Sequence, residues 1–275
     1  MNVNHNIKKC NLHPTFKDAQ ALFCSYSTLQ SDTTLENNLT YSLDAALLNT
    51  FDTQSTREIY NKVILKYYPN EVSVKSNFIN QVLFKSKNHV TIFELPIGSS
   101  RADLCKLNGS SVAYEIKTDL DNSLRLKKQL NDYLNIFEKV FVICSENKLK
   151  DIESQIIPTC GIYTYSITSR GNYKFKLYRH ANISKQLNCK KQLDILRKQE
   201  LIKNFSIDSL PNRKDLTSLI LQQYSATRIN EIFKQVIKNR YQTQWDFLKN
   251  NKSQILEIDY QWFFKNTINP DLIYG

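Results

Sequence analysis

Asp103, Glu115 and Lys117 stand on either side of an Asn108-Gly109 turn, and they are the residues whose types and spacing suit chemistry best. Successive side chains of a strand alternate faces, so Glu115 and Lys117 point one way and Ile116 the other. Whether Asp103 joins them depends on the turn. A two-residue loop at Asn108-Gly109 would pair Asp103 with Tyr114 and drop a carboxylate among Val112, Tyr114 and Ile116. A three-residue loop with Gly109 in the left-handed position shifts the parity by one. Asp103, Cys105, Ala113, Glu115 and Lys117 then share one face, and Ala102, Leu104, Val112, Tyr114 and Ile116 share the other. Register follows such segregation, so the sequence predicts the three-residue loop. Paired carboxylates suit a hard divalent cation, Mg²⁺ with Mn²⁺ as a substitute, which keeps positions for water and a phosphate oxygen. The cation neutralises charge on a scissile phosphate, and a lysine two residues from a ligand positions the water. The chemistry implied is phosphodiester hydrolysis.

Positioning these groups requires a sheet and flanking helices. The pattern predicts a helix from about Thr56, capped by Asp52 or Ser55, with Ile59, Val63, Ile64 and Tyr67 on one face. Strands follow at Val90–Leu95, Arg101–Leu107 and Ser111–Lys117. Asp121 or Asn122 is predicted to cap a helix running through Leu124, Leu126, Leu130, Leu134 and Phe137. Val140–Cys144 reads as a buried strand, Glu146–Ile156 as a helix, and Gly161–Ile167 and Tyr173–Tyr178 as strands. Beyond Ser184 the period is helical, over about 184–204, 212–224 and 226–249. The opening stretch to about Thr50 is polar and carries no clear period.

The order strand, turn, strand, helix around Asp103 and Glu115-x-Lys117 resembles the PD-(D/E)XK nuclease superfamily. Gln129-x-x-x-Tyr133 on the next helix resembles the Gln-x-x-x-Tyr motif of its RecB-like branch. Arg101-Ala-Asp103, Tyr114-Glu-Ile-Lys-Thr-Asp119 and Arg125-Leu126 look like a bacterial family of largely uncharacterised PD-(D/E)XK proteins. That family follows its core with a Gly-Ile strand, here Gly161-Ile162, and a basic helical tail. The resemblance covers roughly residues 56–245, with Ala102 standing where the superfamily has proline. It implies an α/β fold, a restriction-endonuclease-like mixed sheet core flanked by helices, followed by an all-helical basic region. The corresponding division is residues 1–50 with no assigned role, 51–180 as the nuclease-like core and 181–275 as the basic helices. It also implies catalytic roles for Asp103, Glu115, Lys117 and Gln129, and metal ligation by Asp103 and Glu115. The superfamily often adds an acid from an upstream helix. Glu58 is the better match for that position and Glu94 its rival. Asp119 and Asp121 read as caps first and site residues second, and Tyr133 reads equally as core.

The chain has 275 residues with 37 bases and 26 acids, a formal net charge of +11. Residues 170–252 hold 18 bases and 6 acids, whereas residues 1–169 hold 18 and 17, so the excess lies in the helical part. Such a segment fits a phosphate backbone, with a solvated helical surface as the plainer reading. Its main charges are Lys190, Lys191, Arg197, Lys198, Arg213, Lys214, Arg228, Lys234, Lys238 and Arg240. Arg101 and Arg125 flank the hairpin and are expected either to contact phosphate or to pair with Asp119 or Asp121. Tyr224, Tyr241 and Trp245 would stack on bases or pack in a core. No apolar run is long enough to span a bilayer, and Met1–Cys10 carries no signal-peptide pattern. Six cysteines without a Cys-x-x-Cys pair read as thiols of a reducing cytoplasm, and Cys10 with His13 lacks the second pair that zinc needs. The expectation is a cytoplasmic, Mg²⁺-dependent DNA endonuclease of mobile-element or phage conflict, or of DNA processing, without a membrane partner. An RNase of the tRNA-cleaving type and a non-catalytic nucleic-acid- or protein-binding module are the alternatives. A protein partner or a homo-oligomer stays open.

Overall fold

The structure, a computed structural model, describes residues 13–208 and 210–275. The zinc question raised by Cys10 falls outside the described residues. Three helices, α1 (Phe16–Ser25), α2 (Asp32–Ser42) and α3 (Ala45–Leu48), open the described chain. Each starts on a side-chain cap, from Thr15, Ser31 and Asp44 respectively. They fold against α4 (Thr56–Tyr67) around a small core that includes Leu22, Leu35, Tyr60 and Ile64. Ser55 caps α4, as the sequence predicts. After Pro69 and the cap residue Asn70 comes α5 (Glu71–Phe78), continued by a π-helical turn over Ile79–Leu83.

Six strands make one mixed sheet in sequence order: β1 (Val90–Ile97), β2 (Ser100–Asn108), β3 (Ser110–Lys117), β4 (Lys139–Ser145), β5 (Gly161–Ile167) and β6 (Tyr173–Arg179). β1, β2 and β3 form an antiparallel meander, and β3–β4 and β4–β5 are parallel pairs. The parallel steps are made by crossover helices α6 (Leu126–Leu134) and α7 (Leu149–Gln155). The middle strands are buried along most of their length, as helices on both faces demand. Phe78 of α5 meets Tyr114, Tyr163 and Phe175 edge-on.

From residue 181 the described chain is helical: α8 (Cys189–Ile195), α9 (Lys198–Phe205), α10 (Arg213–Gln223), α11 (Ala226–Asn251), α12 (Tyr260–Asn266) and α13 (Asp271–Tyr274). The continuous helix expected over 184–204 is two helices, because Leu196 and Arg197 are extended and Glu200 closes a cap on the Arg197 N–H. α11 packs along β1, and its residues share one apolar core with the sheet. Trp245 is buried there, stacked on Phe84, which settles it as packing and removes it from the base-stacking set.

Gly161 is required where β5 passes under Phe141. A Cβ there would lie 2.4 Å from the Phe141 ring and 2.7 Å from the backbone nitrogen of Ala181. Gly161→Ala is expected to cost about 1–3 kcal/mol by overpacking, read as a lower thermal midpoint with unchanged far-UV dichroism.

Candidate active site

The hairpin takes the three-residue register. Leu104 pairs with Tyr114 and Asn108 with Ser110, leaving Gly109 alone at the tip with φ +67°. The paired register ends at Leu104 and Tyr114, and its continuation by one residue brings Asp103 alongside Glu115; both are buried. Asp103 Oδ2 accepts the Ile116 N–H at 2.6 Å. Glu115 Oε1 accepts from the Lys117 ammonium at 2.7 Å, and Oε2 lies 2.7 Å from the Tyr133 hydroxyl. That hydroxyl is also 2.7 Å from the Arg101 carbonyl. A phenol carries one proton, so both contacts are hydrogen bonds only when Glu115 is itself protonated. Tyr133 is thus a buried side chain that also holds a site carboxyl in place.

Burial, then the charges of Glu115 and Glu71, push the Asp103 carboxyl well above its ordinary value; Lys75 and the Ile116 N–H pull it back only in part. Burial likewise raises Glu115, against the opposing pull of Lys117 and the Tyr133 hydrogen bond. Crowded, buried oxygen donors that resist ionisation together are a donor set suited to a hard divalent cation. These groups open onto a cleft of about 690 Å³, also lined by Glu71, Arg101, Arg125, Lys128 and Gln129. The Gln129 Oε1 is buried without a hydrogen-bond partner among the described residues, which leaves an amide acceptor at the cleft wall.

Glu58, expected as the upstream acid, does not reach this cleft. Its carboxylate accepts the Ser55 N–H at 2.7 Å, closing the α4 capping box, and it lines a separate cleft beside Lys252–Leu256. The helix acid that reaches the site is Glu71, on α5, and one oxygen from each of Glu71, Glu94 and Asp103 lies within 4.8 Å of the others. Glu94 does enter the cluster, but it is held by Lys75 and Arg101. Glu71 and Lys75 went unmarked in the sequence. Pro69-Asn70 after an amphipathic helix, followed by a Glu and a Lys four apart, is the signal that marks α5.

Arg101 pairs with Glu94 rather than with Asp119 or Asp121. Arg125 is exposed at the cleft and makes no ion pair among the described residues. Asp119 instead accepts from Ser145, and Asp121 from the N–H and hydroxyl of Thr118. Neither Asp121 nor Asn122 caps a helix, because α6 starts at Leu126 with Arg125 in the cap position.

Several of the basic residues read as phosphate contacts are structural. Arg240 pairs with Glu200, and Arg213 donates to the carbonyls of Leu193, Asp194 and Leu196. Lys234 donates to the Gly109 carbonyl at 2.7 Å and to Glu138 at 2.9 Å, and Lys238 to the Asn88 carbonyl at 3.2 Å. The hairpin tip they hold is six residues along β2 from Asp103, about 20 Å away. Lys198 reaches the Pro211 carbonyl, and Arg228 pairs with Glu231 on the surface. Lys190, Lys191, Arg197 and Lys214 are exposed. Tyr224 donates to the Phe205 carbonyl, and Tyr241 stacks on Phe264.

Comparison with known proteins places the chain. Residues 66–261 match the family described as Bacteriophage P4 protein cII. The chain belongs to that family. Protein cII of Enterobacteria phage P4 is 31% identical over 155 residues, covering 54% of this chain and 58% of that protein. The chain therefore matches little more than half the length of this protein cII relative. No solved structure matches the chain. The protein cII family span takes in Glu71, Lys75, Glu94, Asp103, Glu115, Lys117, Gln129 and Tyr133, and leaves out Glu58 and helices α1–α3. No described helix is long and apolar enough to cross a membrane.

Proposed function

We propose that the chain is a metal-dependent phosphodiester hydrolase with a restriction-endonuclease-like core of the PD-(D/E)XK type, and that its substrate is DNA cut internally. The observation that carries this reading is the side-by-side placement of Asp103 and Glu115 on adjacent strands, with the Lys117 ammonium 2.7 Å from Glu115 and an open cleft before them. Asp103 and Glu115 would hold the cation. A bound Mg²⁺ supplies Lewis-acid charge at the scissile phosphate. Lys117 steers the attacking water and faces the charge that grows on the phosphate oxygens. Gln129 lines the same cleft and offers its side-chain amide to water or substrate. Arg125 and Lys128, at the mouth, receive flanking phosphates. The phage origin of the relative supports a role in phage or mobile-element biology.

Purified protein is to be incubated with plasmid, linear duplex, single-stranded DNA and tRNA, with Mg²⁺ or Mn²⁺ and again with EDTA. Plasmid nicking or linearisation that EDTA stops is expected. Cutting of tRNA alone assigns an RNase, and DNA binding with no cleavage of any substrate assigns a binding module. Arg125→Ala with Lys128→Ala is expected to lower the salt dependence of DNA binding by about one to two phosphate contacts, whereas Lys234→Ala leaves that slope unchanged. Equal slopes for all three proteins would remove the cleft mouth from the binding surface. Point variants are preferable to deletion of residues 180–275, because α11 is part of the core beneath β1.

A further inference from the structure

Lys75 is the least expected residue of the cluster. Its side chain is buried on α5, and its ammonium lies 2.7 Å from Glu71, pairs with Glu94, and is 3.0 Å from the Gln261 amide oxygen. An ammonium has three donors, and here three acceptors take them. Two of those acceptors belong to the Glu71, Glu94 and Asp103 triangle whose dimensions would suit an ion. Glu94 is brought there at a conformational cost. It has φ +54°, a left-handed backbone that a glutamate seldom adopts, and it drops out of the β1–β2 ladder between Phe93 and Leu95. The kink lies across from Asp103 and gives the Glu94 carboxylate to two cations, Lys75 and Arg101.

We propose that the Lys75 ammonium is a built-in counter-cation that fills the Glu71–Glu94 side of the acid cluster and limits the cleft to one divalent ion, at Asp103 and Glu115. The inference rests on the metal-dependent reading above. Glu94 then serves as the anchor of that ammonium and not as a metal ligand. Lys75 is a positioning residue, acting through the carboxylates it pairs with. Gln261 on α12 holds the third donor and ties the C-terminal helices to the cluster.

Metal-free protein titrated with Mn²⁺, with free Mn²⁺ followed by electron paramagnetic resonance, counts the ions directly. One Mn²⁺ per chain is expected for the wild type, two for Lys75→Met, and one again for Lys75→Arg, which keeps the positive charge. Two ions in the wild type, or one in Lys75→Met, would overturn the inference and leave the metal-dependent reading standing. No ion in the wild type but one in Lys75→Met would remove that reading while keeping the ammonium as occupant of a cation site. No ion in either protein removes both. Should Lys75→Met fail to fold, as judged by its melting transition, Glu94→Gln decides. It keeps Lys75 and is expected to bind one Mn²⁺, whereas loss of the ion would make Glu94 a ligand and overturn the inference.

Discussion

Lys117→Ala is expected to lower Mg²⁺-dependent cleavage by about 10²–10³-fold, the usual consequence of removing one preorganised charge from a transition state. The Lys117 side chain is only 12% exposed and its ammonium is 2.7 Å from Glu115. Its charge therefore acts where water screens it little. It also opposes the upward push of burial on Glu115, so its loss favours protonated Glu115. The loss is expected in kcat, with KM and DNA affinity nearly unchanged, because Arg125 and Lys128 stay in place. Glu115→Gln is expected to abolish cleavage and Mn²⁺ binding together, since an amide oxygen is a weaker ligand than a carboxylate. Gln at 115 can still accept from Lys117 through its amide oxygen and donate its NH2 to the Tyr133 hydroxyl, whose own proton goes to the Arg101 carbonyl, so its melting transition is expected to survive. Cleavage that persists undiminished in either variant would belong to a contaminant and would remove both residues from the site.

Relative to Asp103→Asn, the metal-free wild type is expected to lose stability as pH rises above about 4, where an ordinary carboxylate ionises. Folding raises the pKa of Asp103, chiefly through burial and then through Glu115 and Glu71. The folded state thus holds a proton that the unfolded chain has released. Its contribution to stability is complete below the unfolded pKa and is lost as pH climbs through the raised folded value. Glu138 and Glu200 have lowered pKa values, and burial brings His89 down to about 4, so these groups act the other way. The difference between wild type and Asp103→Asn isolates the site. Thermal melts in EDTA between pH 4 and 8 are expected to show Asp103→Asn gaining on the wild type with pH. A cation at a hundred times its Kd is expected to return about 2.7 kcal/mol to the wild type and little to the variant. A difference that is flat with pH would mean that Asp103 is not held against its charge.

Much of the site was legible in the sequence because β alternation and turn geometry are local rules. The Asn108-Gly109 turn, the segregation of polar and apolar faces, and the facing of Asp103 and Glu115 followed from them. The Ser55 cap did so too, and the Glu58 that completes it shows the limit of the same reasoning. A glutamate at the third helical position serves the cap, and motif spacing alone does not separate that role from metal ligation. Glu71 was missed because its meeting with Glu94 and Asp103 is tertiary. It depends on how α5 crosses the sheet and on a left-handed Glu94 that no propensity rule anticipates. The basic helices were legible as charge but not as surface. Arg213, Lys234 and Arg240 find acceptors far away in sequence, and only a folded chain shows which cations remain exposed. Helices α1–α3 escaped because their buried stripe is thin, Leu22, Leu35 and Leu39 standing among polar neighbours.

On the proposed function, Asp103 and Glu115 hold a divalent ion beside Lys117. Crystals of the wild-type chain soaked in Mn²⁺ and measured for anomalous scattering test this most directly. A single peak between the two carboxylates, within coordination distance of both and absent in Glu115→Gln, is the expected result. No peak at these carboxylates, or one bound only by Glu71 and Glu94, would contradict it.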